Sequence, residues 1–451
     1  MLEIVILAAG KGTRMCSAKP KVLHTLAGKA FVSHVIDRAH ELEADGIKVV
    51  IGHGAEQVEK QLAEPGIEFV EQTEQLGTGH AVQQVLPRLH AEATVLILYG
   101  DVPLIKTNTL KRLITKVSET SMGLLTIELA NPAGYGRIVR EDGEVTAIVE
   151  QKDATKEQMQ ITEINTGVMA VKGAHLQQWL PALSNENAQG EYYLTDIVAM
   201  ARSNDVLVET VQAASESEVM GVNNRVQQAE LERFYQRGIA HDLMIAGATL
   251  LDPARIDCRG VLTTGSDCVI DVNCIFEGEV SLGDNVHIGA NCHLKDTSIG
   301  DNTQIFSNTY IEESQLGEDC LVGPFARLRP GSVLAQKAKI GNFVETKKAY
   351  IGKGSKVNHL TYVGDAELGE NVNIGAGAIT CNYDGANKHK TIIGDGVFIG
   401  SNTALVAPVT LAKGTTIAAG STITSSSQEN QLVVARTKQR NIDGWRRPVK
   451  K

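Results

Sequence analysis

Two rhythms of hydrophobic and polar positions divide the chain. From residue 1 to about 225, short apolar runs alternate with stretches long enough for helices. Ile4-Val5-Ile6-Leu7 reads as a buried strand running into a glycine turn. Lys48-Val49-Val50-Ile51-Gly52 and Thr94-Val95-Leu96-Ile97-Leu98-Tyr99-Gly100-Asp101 repeat that pattern, with helix-length segments such as Phe31 to Leu42 between them. Strand, helix, strand in this order predicts a mostly parallel, Rossmann-like α/β sheet. Ligands of such sheets sit at the carboxyl ends of the strands, so chemistry is expected in the loops after Leu7 and after Tyr99.

Residues 224 to about 246 predict one long polar helix with a partial apolar stripe of Val226, Phe234, Tyr235, Ile239 and Leu243, closed by Asp252-Pro253. It reads as a connector, which gives domains at 1–225 and 251–451 and a linker helix at 226–250. Beyond it a six-residue period takes over. Ile270, Phe276, Leu282, Ile288 and Leu294 are six apart, and after five-residue steps come Ile299, Ile305, Ile311 and then Leu316, Val322, Leu328, Leu334 and Ile340. Ile393, Ile399, Leu405, Leu411, Ile417 and Ile423 continue the series, and glycine follows many of these positions, as at Ile288-Gly289 and Ile299-Gly300. Hexapeptide repetition marks a parallel β-helix. Each coil is a triangle of three short strands, each pointing one aliphatic inward, with a small residue beside it where the chain turns. Roughly 170 residues at about 18 per coil give on the order of nine or ten coils.

Composition agrees. Aromatics are only 4% of the 451 residues while glycine numbers 43, as a narrow prism with little room for rings requires. A net charge of −10 argues against a nucleic-acid or anionic-membrane binder. No apolar run is long enough to span a membrane, and a strand beginning at Glu3 leaves no room for a signal peptide. Seven cysteines without a CxxC pair predict a reduced, cytoplasmic thiol set. Cys274 and Cys292, one coil apart, are expected to stack as small fillers.

The run Leu7-Ala8-Ala9-Gly10-Lys11-Gly12-Thr13-Arg14-Met15-Cys16-Ser17-Ala18-Lys19-Pro20-Lys21 leaves the first strand. A glycine-rich turn there can aim backbone N–H groups at a phosphate. Arg14 and Lys21 add positive charge where a departing pyrophosphate would develop negative charge. A dinucleotide fingerprint would need a third glycine where Met15 stands, and a Walker A sequence is absent. Asp101, at a strand end, suits Mg²⁺, which takes one or two carboxylates plus substrate phosphates; a helix cap or turn is the alternative. Asn165 and Asn223 taken alone read as turn residues, and His80 as structural.

In the second half, Arg327 and Arg329 precede Lys347-Lys348, with Arg329 and Lys347 one coil apart. Stacked basic residues suit a sugar phosphate; a solvated edge is the alternative. His359, just past the inward Val357, is expected exposed near a corner, where an uncharged imidazole takes a proton from an amine during acyl transfer. Glu345 is expected to orient it. Ala376 to Ala386 interrupts the repeat, and Asn382-Tyr383-Asp384-Gly385 predicts a protruding loop. A basic tail of Arg436, Lys438, Arg440, Arg446, Arg447, Lys450 and Lys451 suits a polyphosphate ligand or is simply a solvated terminus.

The first motif resembles the signature of sugar-nucleotide pyrophosphorylases, G-x-G-T-R-M followed four residues later by P-K. Gln72 with Leu76-Gly77-Thr78-Gly79-His80-Ala81, Tyr99-Gly100-Asp101, Gly134-Tyr135-Gly136-Arg137, Glu150, Asn165-Thr166-Gly167 and Gly221-Val222-Asn223 extend the likeness. The second half resembles the hexapeptide acyltransferases that use acetyl-CoA. Together they resemble the bacterial bifunctional family that joins N-acetylglucosamine-1-phosphate uridyltransferase to glucosamine-1-phosphate N-acetyltransferase. The resemblance implies a left-handed β-helix and a homotrimer acting on small molecules in the cytoplasm, with no nucleic acid and no membrane insertion. It places UTP and the nucleotide sugar against Leu7, Ala8, Ala9, Gly10, Lys21, Gln72, Gly77, Thr78, Tyr99, Gly100, Asp101, Gly136, Glu150, Asn165 and Asn223. Gln72, Gly77 and Thr78 would read uracil, Gly136, Glu150 and Asn165 the N-acetylated sugar, and Asp101 with Asn223 would hold Mg²⁺. It makes His359 the general base, with Arg14 and Lys21 catalytic in nucleotidyl transfer. Arg329, Lys347, Tyr362 and Asn373 would bind glucosamine 1-phosphate, and Ala376, Asn382, Tyr383, Ser401, Ala419 and Arg436 acetyl-CoA. Two other readings stay open: a nucleotidyltransferase with a regulatory or oligomerising β-helix, and a non-enzymatic scaffold.

Overall fold

The computed structural model describes residues 1–448 and 450; Lys451 of the basic tail lies outside the described residues. The chain divides into two compact units, Met1–Tyr235 and Gln236–Lys451, and the division falls inside one long helix, Arg225–Ile245.

The first unit is built on a nine-stranded sheet. Its strands are β1 (Leu2–Leu7), β2 (Gly46–Ile51), β3 (Ile67–Glu71), β4 (Thr94–Tyr99), β5 (Ser121–Glu128), β6 (Arg137–Glu141), β7 (Glu144–Val149), β8 (Glu163–Lys172) and β9 (Leu207–Gln212). β1 lies parallel between β2 and β4, and β3 extends β2. Side chains alternate between the two faces. Ile4 and Ile6 pack with Val32 and Val35 of the helix Phe31–Glu41, while Val5 and Leu7 pack on the opposite side with Ala81 and Val82. Both faces are covered, which is why β1 reads as an unbroken apolar run. The sheet is mostly parallel, as expected, with its exceptions beyond residue 100. β8 runs antiparallel between β4 and β5, and β6 and β7 form a hairpin attached to β8. A local apolar run does not encode the direction in which its strand returns.

The long helix also differs from its predicted stripe. Leu231, Gln236, Ala240 and Leu243 are buried, whereas Val226 and Phe234 are exposed. It stops at Ile245, well before Asp252-Pro253. Gly247 adopts φ +105°, and Ala248 N donates to Leu243 O at 3.0 Å, a left-handed glycine cap.

The second unit is a parallel β-helix. Ile270, Ile288, Ile305, Val322 and Ile340 stack coil upon coil within an eleven-stranded sheet, and a fourteen-stranded sheet carries the other strands. Every six-spaced aliphatic named above is buried. The glycines beside them do other work than expected. A Cβ on Gly289 would lie 2.7 Å from Ser307 N of the next coil, so that glycine permits close stacking. The turns fall to asparagine and aspartate: Asn273, Asn291 and Asn308 all have φ between 58° and 62°, and their side chains form a ladder at 2.9 and 3.3 Å. Asn and Asp tolerate this left-handed conformation because a short polar side chain bonds locally. Cys274 and Cys292 sit in the core as free thiols, as do Cys258, Cys268 and Cys320. Among the described residues no helix is long and apolar enough to cross a membrane.

Candidate active sites

In the first unit, the carboxyl ends of β1 and β4 open onto a cavity of about 560 Å³. Leu7, Ala8, Ala9, Gly10, Lys21, Gln72, Gly77, Thr78, Tyr99, Asp101 and Asn223 all line it, as do Lys11, Gln75 and Glu191, which the sequence reading passed over. Gly100 lies beneath, its N–H bonded to Leu7 O at 2.9 Å. The glycine-rich turn needs Gly12, whose φ is +57°; a Cβ there would stand 2.6 Å from Lys21 Cβ. The turn therefore delivers Lys21 to the cavity. Its ammonium pairs with the Asp101 carboxylate and lies 3.3 Å from Asn223 Oδ1, which also accepts from Arg14 Nη2 at 3.0 Å. The segment carrying Asn223 is fastened to Asp101 by Val222 N donating to Asp101 O at 3.0 Å. Two cations and two oxygen donors thus share one corner.

Gln72 is buried. Its Nε2 donates to Gly77 O at 3.1 Å and lies 3.1 Å from His80 Nδ1. Its amide oxygen is therefore what it can offer a base. His80 is held at its other nitrogen by Gln84 at 3.0 Å, a structural role. A second cluster joins Gly136, Glu150 and Asn165. Asn165 N donates to Gly136 O at 2.9 Å, and a Cβ on Gly136 would crowd Glu150 Oε1 at 3.3 Å. Burial pushes the Glu150 carboxyl up, against a hydrogen bond from Thr195 that lowers it, with Asp153 and Asp196 adding to the rise. Burial likewise pushes the Tyr99 phenol far up, with Asp101 and Glu150 contributing, so both acids act on the same tyrosine.

In the second unit, His359 is exposed, as expected, at the end of the strand Lys356–His359. Its partner is not Glu345. Asn342 stands directly opposite on the preceding coil, and His359 Nδ1 donates to Asn342 Oδ1 at 2.7 Å. Glu345 is spent on Arg329, 2.8 Å away, because the strand register stacks it between Arg327 and Tyr362 instead. The basic stack is narrower than predicted. Arg329 and Lys347 meet, and Lys388 of the protruding loop joins them: the Lys347 ammonium is held below its ordinary pKa by Lys388 first and then Arg329. Arg327 instead lies over the Tyr310 ring, 5.9 Å from its centroid. Tyr362 approaches Arg329, but Asn373 stacks between Lys356 and Phe398 on the eleven-stranded sheet.

The residues implied for acetyl-CoA form a column. His359 O accepts from Gly377 N at 3.2 Å, Ala376 O from Asn402 N at 2.8 Å, Ser401 O from Gly420 N at 2.8 Å, and Ala419 O from Arg436 Nη1 at 2.7 Å. At about 4.8 Å per coil, this corner runs roughly 19 Å from the imidazole to the guanidinium. Beside it the loop carries Asn382, which donates to Asp365 Oδ2 at 2.5 Å, and the exposed Tyr383.

Comparison with known proteins matches residues 4–141 to the MobA-like NTP transferase domain, 258–351 to the GMPPB C-terminal domain and 390–425 to the bacterial transferase hexapeptide (six repeats). The chain is 69% identical over 451 residues to the bifunctional protein GlmU of Saccharophagus degradans, with the whole of both chains covered. It is 61% identical over 450 residues to that of Marinobacter nauticus, covering 100% of this chain and 99% of the other. To that of Cellvibrio japonicus it is 60% identical over 469 residues, again with both chains fully covered.

Proposed function

The chain belongs to the GlmU family of bifunctional proteins, and from that membership we propose how its two sites divide the making of UDP-N-acetylglucosamine. The enzyme transfers acetyl from acetyl-CoA to glucosamine 1-phosphate, then uridylyl from UTP to N-acetylglucosamine 1-phosphate with release of pyrophosphate. The observation that carries the division of labour is the 2.7 Å contact between His359 Nδ1 and Asn342 Oδ1. With Nδ1–H donated to Asn342, Nε2 presents a lone pair.

In the first step Nε2 takes a proton from the amino group as its nitrogen attacks the thioester carbonyl carbon. The carbon–sulfur bond breaks, and coenzyme A leaves as thiolate. Arg329, Lys347 and Lys388 hold the sugar phosphate, with Tyr362 beside them, and Asn373 contributes from the neighbouring sheet. Acetyl-CoA lies along the Ala376, Ser401, Ala419 and Arg436 corner, flanked by Asn382 and Tyr383. In the second step a phosphate oxygen of N-acetylglucosamine 1-phosphate attacks the α-phosphorus of UTP, and the bond to the bridging oxygen of pyrophosphate breaks. Arg14 and Lys21 take up the charge that develops on the leaving group. The Gln72 amide oxygen accepts from the uracil imide N–H, beside Gly77 and Thr78, while Gly136, Glu150 and Asn165 hold the N-acetylated sugar.

The oxygens of Asp101 and Asn223 converge on one cation, Lys21 Nζ. One carboxylate and one amide oxygen at a phosphate site suit Mg²⁺, which completes its shell with water and substrate phosphates. Among the described residues no group of three or more His, Cys, Asp or Glu side chains could hold a metal unaided. Bound there, Mg²⁺ would neutralise phosphate charge.

The reading includes a homotrimer in the cytoplasm. Phe325 and Phe343, exposed and stacked at 5.3 Å, are followed at the same corner by the exposed Leu360, an apolar ridge suited to burial against a second copy. Supplying purified protein with glucosamine 1-phosphate, acetyl-CoA, UTP and Mg²⁺ should yield the nucleotide sugar. His359→Ala should abolish thiol release and spare pyrophosphate release; if it spares both, the assignment of the base fails.

A further inference from the structure

We propose that Asn342 is the positioning residue of the acetyl-transfer site: its side-chain oxygen selects the His359 tautomer in which Nε2 is the base. The inference rests on His359 being that base.

The geometry is built into the coil register. Lys339 faces Lys356, Ile340 faces Val357 and Asn342 faces His359 across two paired strands. Ile340 and Val357 are fully buried beneath them. The imidazole backbone is clamped as well. His359 O accepts from Thr361 Oγ1 at 2.6 Å and from Gly377 N at 3.2 Å, and the next residue, Leu360, adopts φ +49°. The ring therefore has few ways to turn, and its Nδ1 meets an acceptor at 2.7 Å. An amide oxygen can only accept, so Nδ1 carries the proton and Nε2 does not. In the opposite tautomer Nε2 would be a donor, useless for deprotonating an amine.

The chemical identity of the orienting group matters. A carboxylate in this place would favour the charged imidazolium, which cannot accept a proton. The amide fixes the tautomer without that bias. Glu345, which begins the strand after Asn342, is already paired with Arg329. Other titratable groups on the elements around the ring are Lys339 and Lys356, stacked at the far end of the two strands, and Tyr362, Asp365 and Glu367 on the strand that follows, the two acids bonded to Asn382 and Lys390. The corner above, from 375 to 378, brings none.

The test uses the full chain and three variants, with thiol release from acetyl-CoA as the acetylation assay and pyrophosphate release as an internal measure of folded protein. Asn342→Ala should lower kcat for acetyl transfer on the order of 10- to 100-fold, as loss of orientation does, with KM for glucosamine 1-phosphate changed less than about twofold. Asn342→Asp keeps the acceptor, so it should restore most of that kcat while moving the acid limb of the kcat/KM profile to higher pH. An Asn342→Ala variant with unaltered kcat overturns the proposal. So does an Asn342→Asp variant as inactive as Asn342→Ala while pyrophosphate release is normal. His359→Ala separates the two readings: if it retains acetyl transfer, the base itself is misassigned; if it is inactive while Asn342→Ala is not, only the positioning role falls.

Discussion

Lys21 and Asp101, eighty residues apart in the chain, form an ion pair at the edge of the cavity in the first unit. One opens the short 3-10 turn Lys21–Leu23, packed against Gly12, and the other follows the end of β4. In the proposed reaction, entering phosphates and Mg²⁺ would part them. Lys21→Ala and Asp101→Ala are therefore both expected to depress pyrophosphate release by about 10²-fold or more and to leave acetyl transfer at its normal rate. Chelation with EDTA should act like Asp101→Ala, reversibly. Parallel assays of the two half-reactions check this, and loss of acetylation in step with uridylyl transfer would contradict it.

A second prediction concerns the turn itself. Gly12→Ala puts a methyl carbon 2.6 Å from Lys21 Cβ at a φ of +57°. The left-handed backbone alone costs about 1–2 kcal/mol, and the crowding pushes Lys21 off its place. Uridylyl transfer should fall on the order of 10²-fold. Gly10→Ala, whose Cβ meets nothing within 4 Å of the protein, serves as the contrast. It should hurt mainly through KM for UTP.

Lys388 was not singled out by any motif, yet it crowds Lys347 and Arg329. A bound phosphate dianion relieves that repulsion. Lys388→Met should raise KM for glucosamine 1-phosphate several-fold with a smaller change in kcat. The wild-type KM should rise with ionic strength, since Lys388 is exposed and Arg329 and Lys347 are only half-buried, within reach of screening salt. Initial-rate measurements across a salt series would reveal a flat response if the cluster does not bind phosphate.

Glu150 gives a pH-dependent outcome. Burial raises its carboxyl in the folded state, so the folded state disfavours ionisation. The resulting penalty on stability is absent below the unfolded value, about 4.3. It grows as pH rises and is complete once the folded carboxyl has ionised. Glu150→Gln removes it. Relative to wild type, the variant's first unit should gain stability as pH rises above about 4.3 and then level off, while its KM for N-acetylglucosamine 1-phosphate rises. Urea titrations at several pH values, followed with the sugar-dependent rate, separate the two effects.

Burial pushes the thiols of Cys258 and Cys274 up to about 12 and those of Cys292 and Cys320 up to about 11. Thiolate is the reactive form. A disulfide-exchange reagent at pH 8 should modify Cys16 quickly and the half-buried Cys381 slowly, with the five core thiols reacting only after unfolding. Rapid reaction of a third thiol in native protein would show that the prism opens.

The six-residue period required a prism, because only a coil of that length keeps Ile270, Ile288 and Ile305 pointing inward together. The apolar run Ile4 to Leu7 and the glycine turn behind it likewise required a covered strand ending in a turn at the rim of a cavity. Those are local patterns, repeated along the chain, and they are readable wherever burial depends on spacing. What spacing could not supply was partnership across coils and strands. The register of stacked turns decided that His359 meets Asn342 and that Glu345 meets Arg329. The insertion of β8 between β4 and β5 set one strand against the direction of its neighbours. Lys388 joins Lys347 and Arg329 only because its loop brings it beside them. Each of these is a contact between positions that the sequence separates by an amount no motif records, and hydrogen bonds and charge pairs form between neighbours in space.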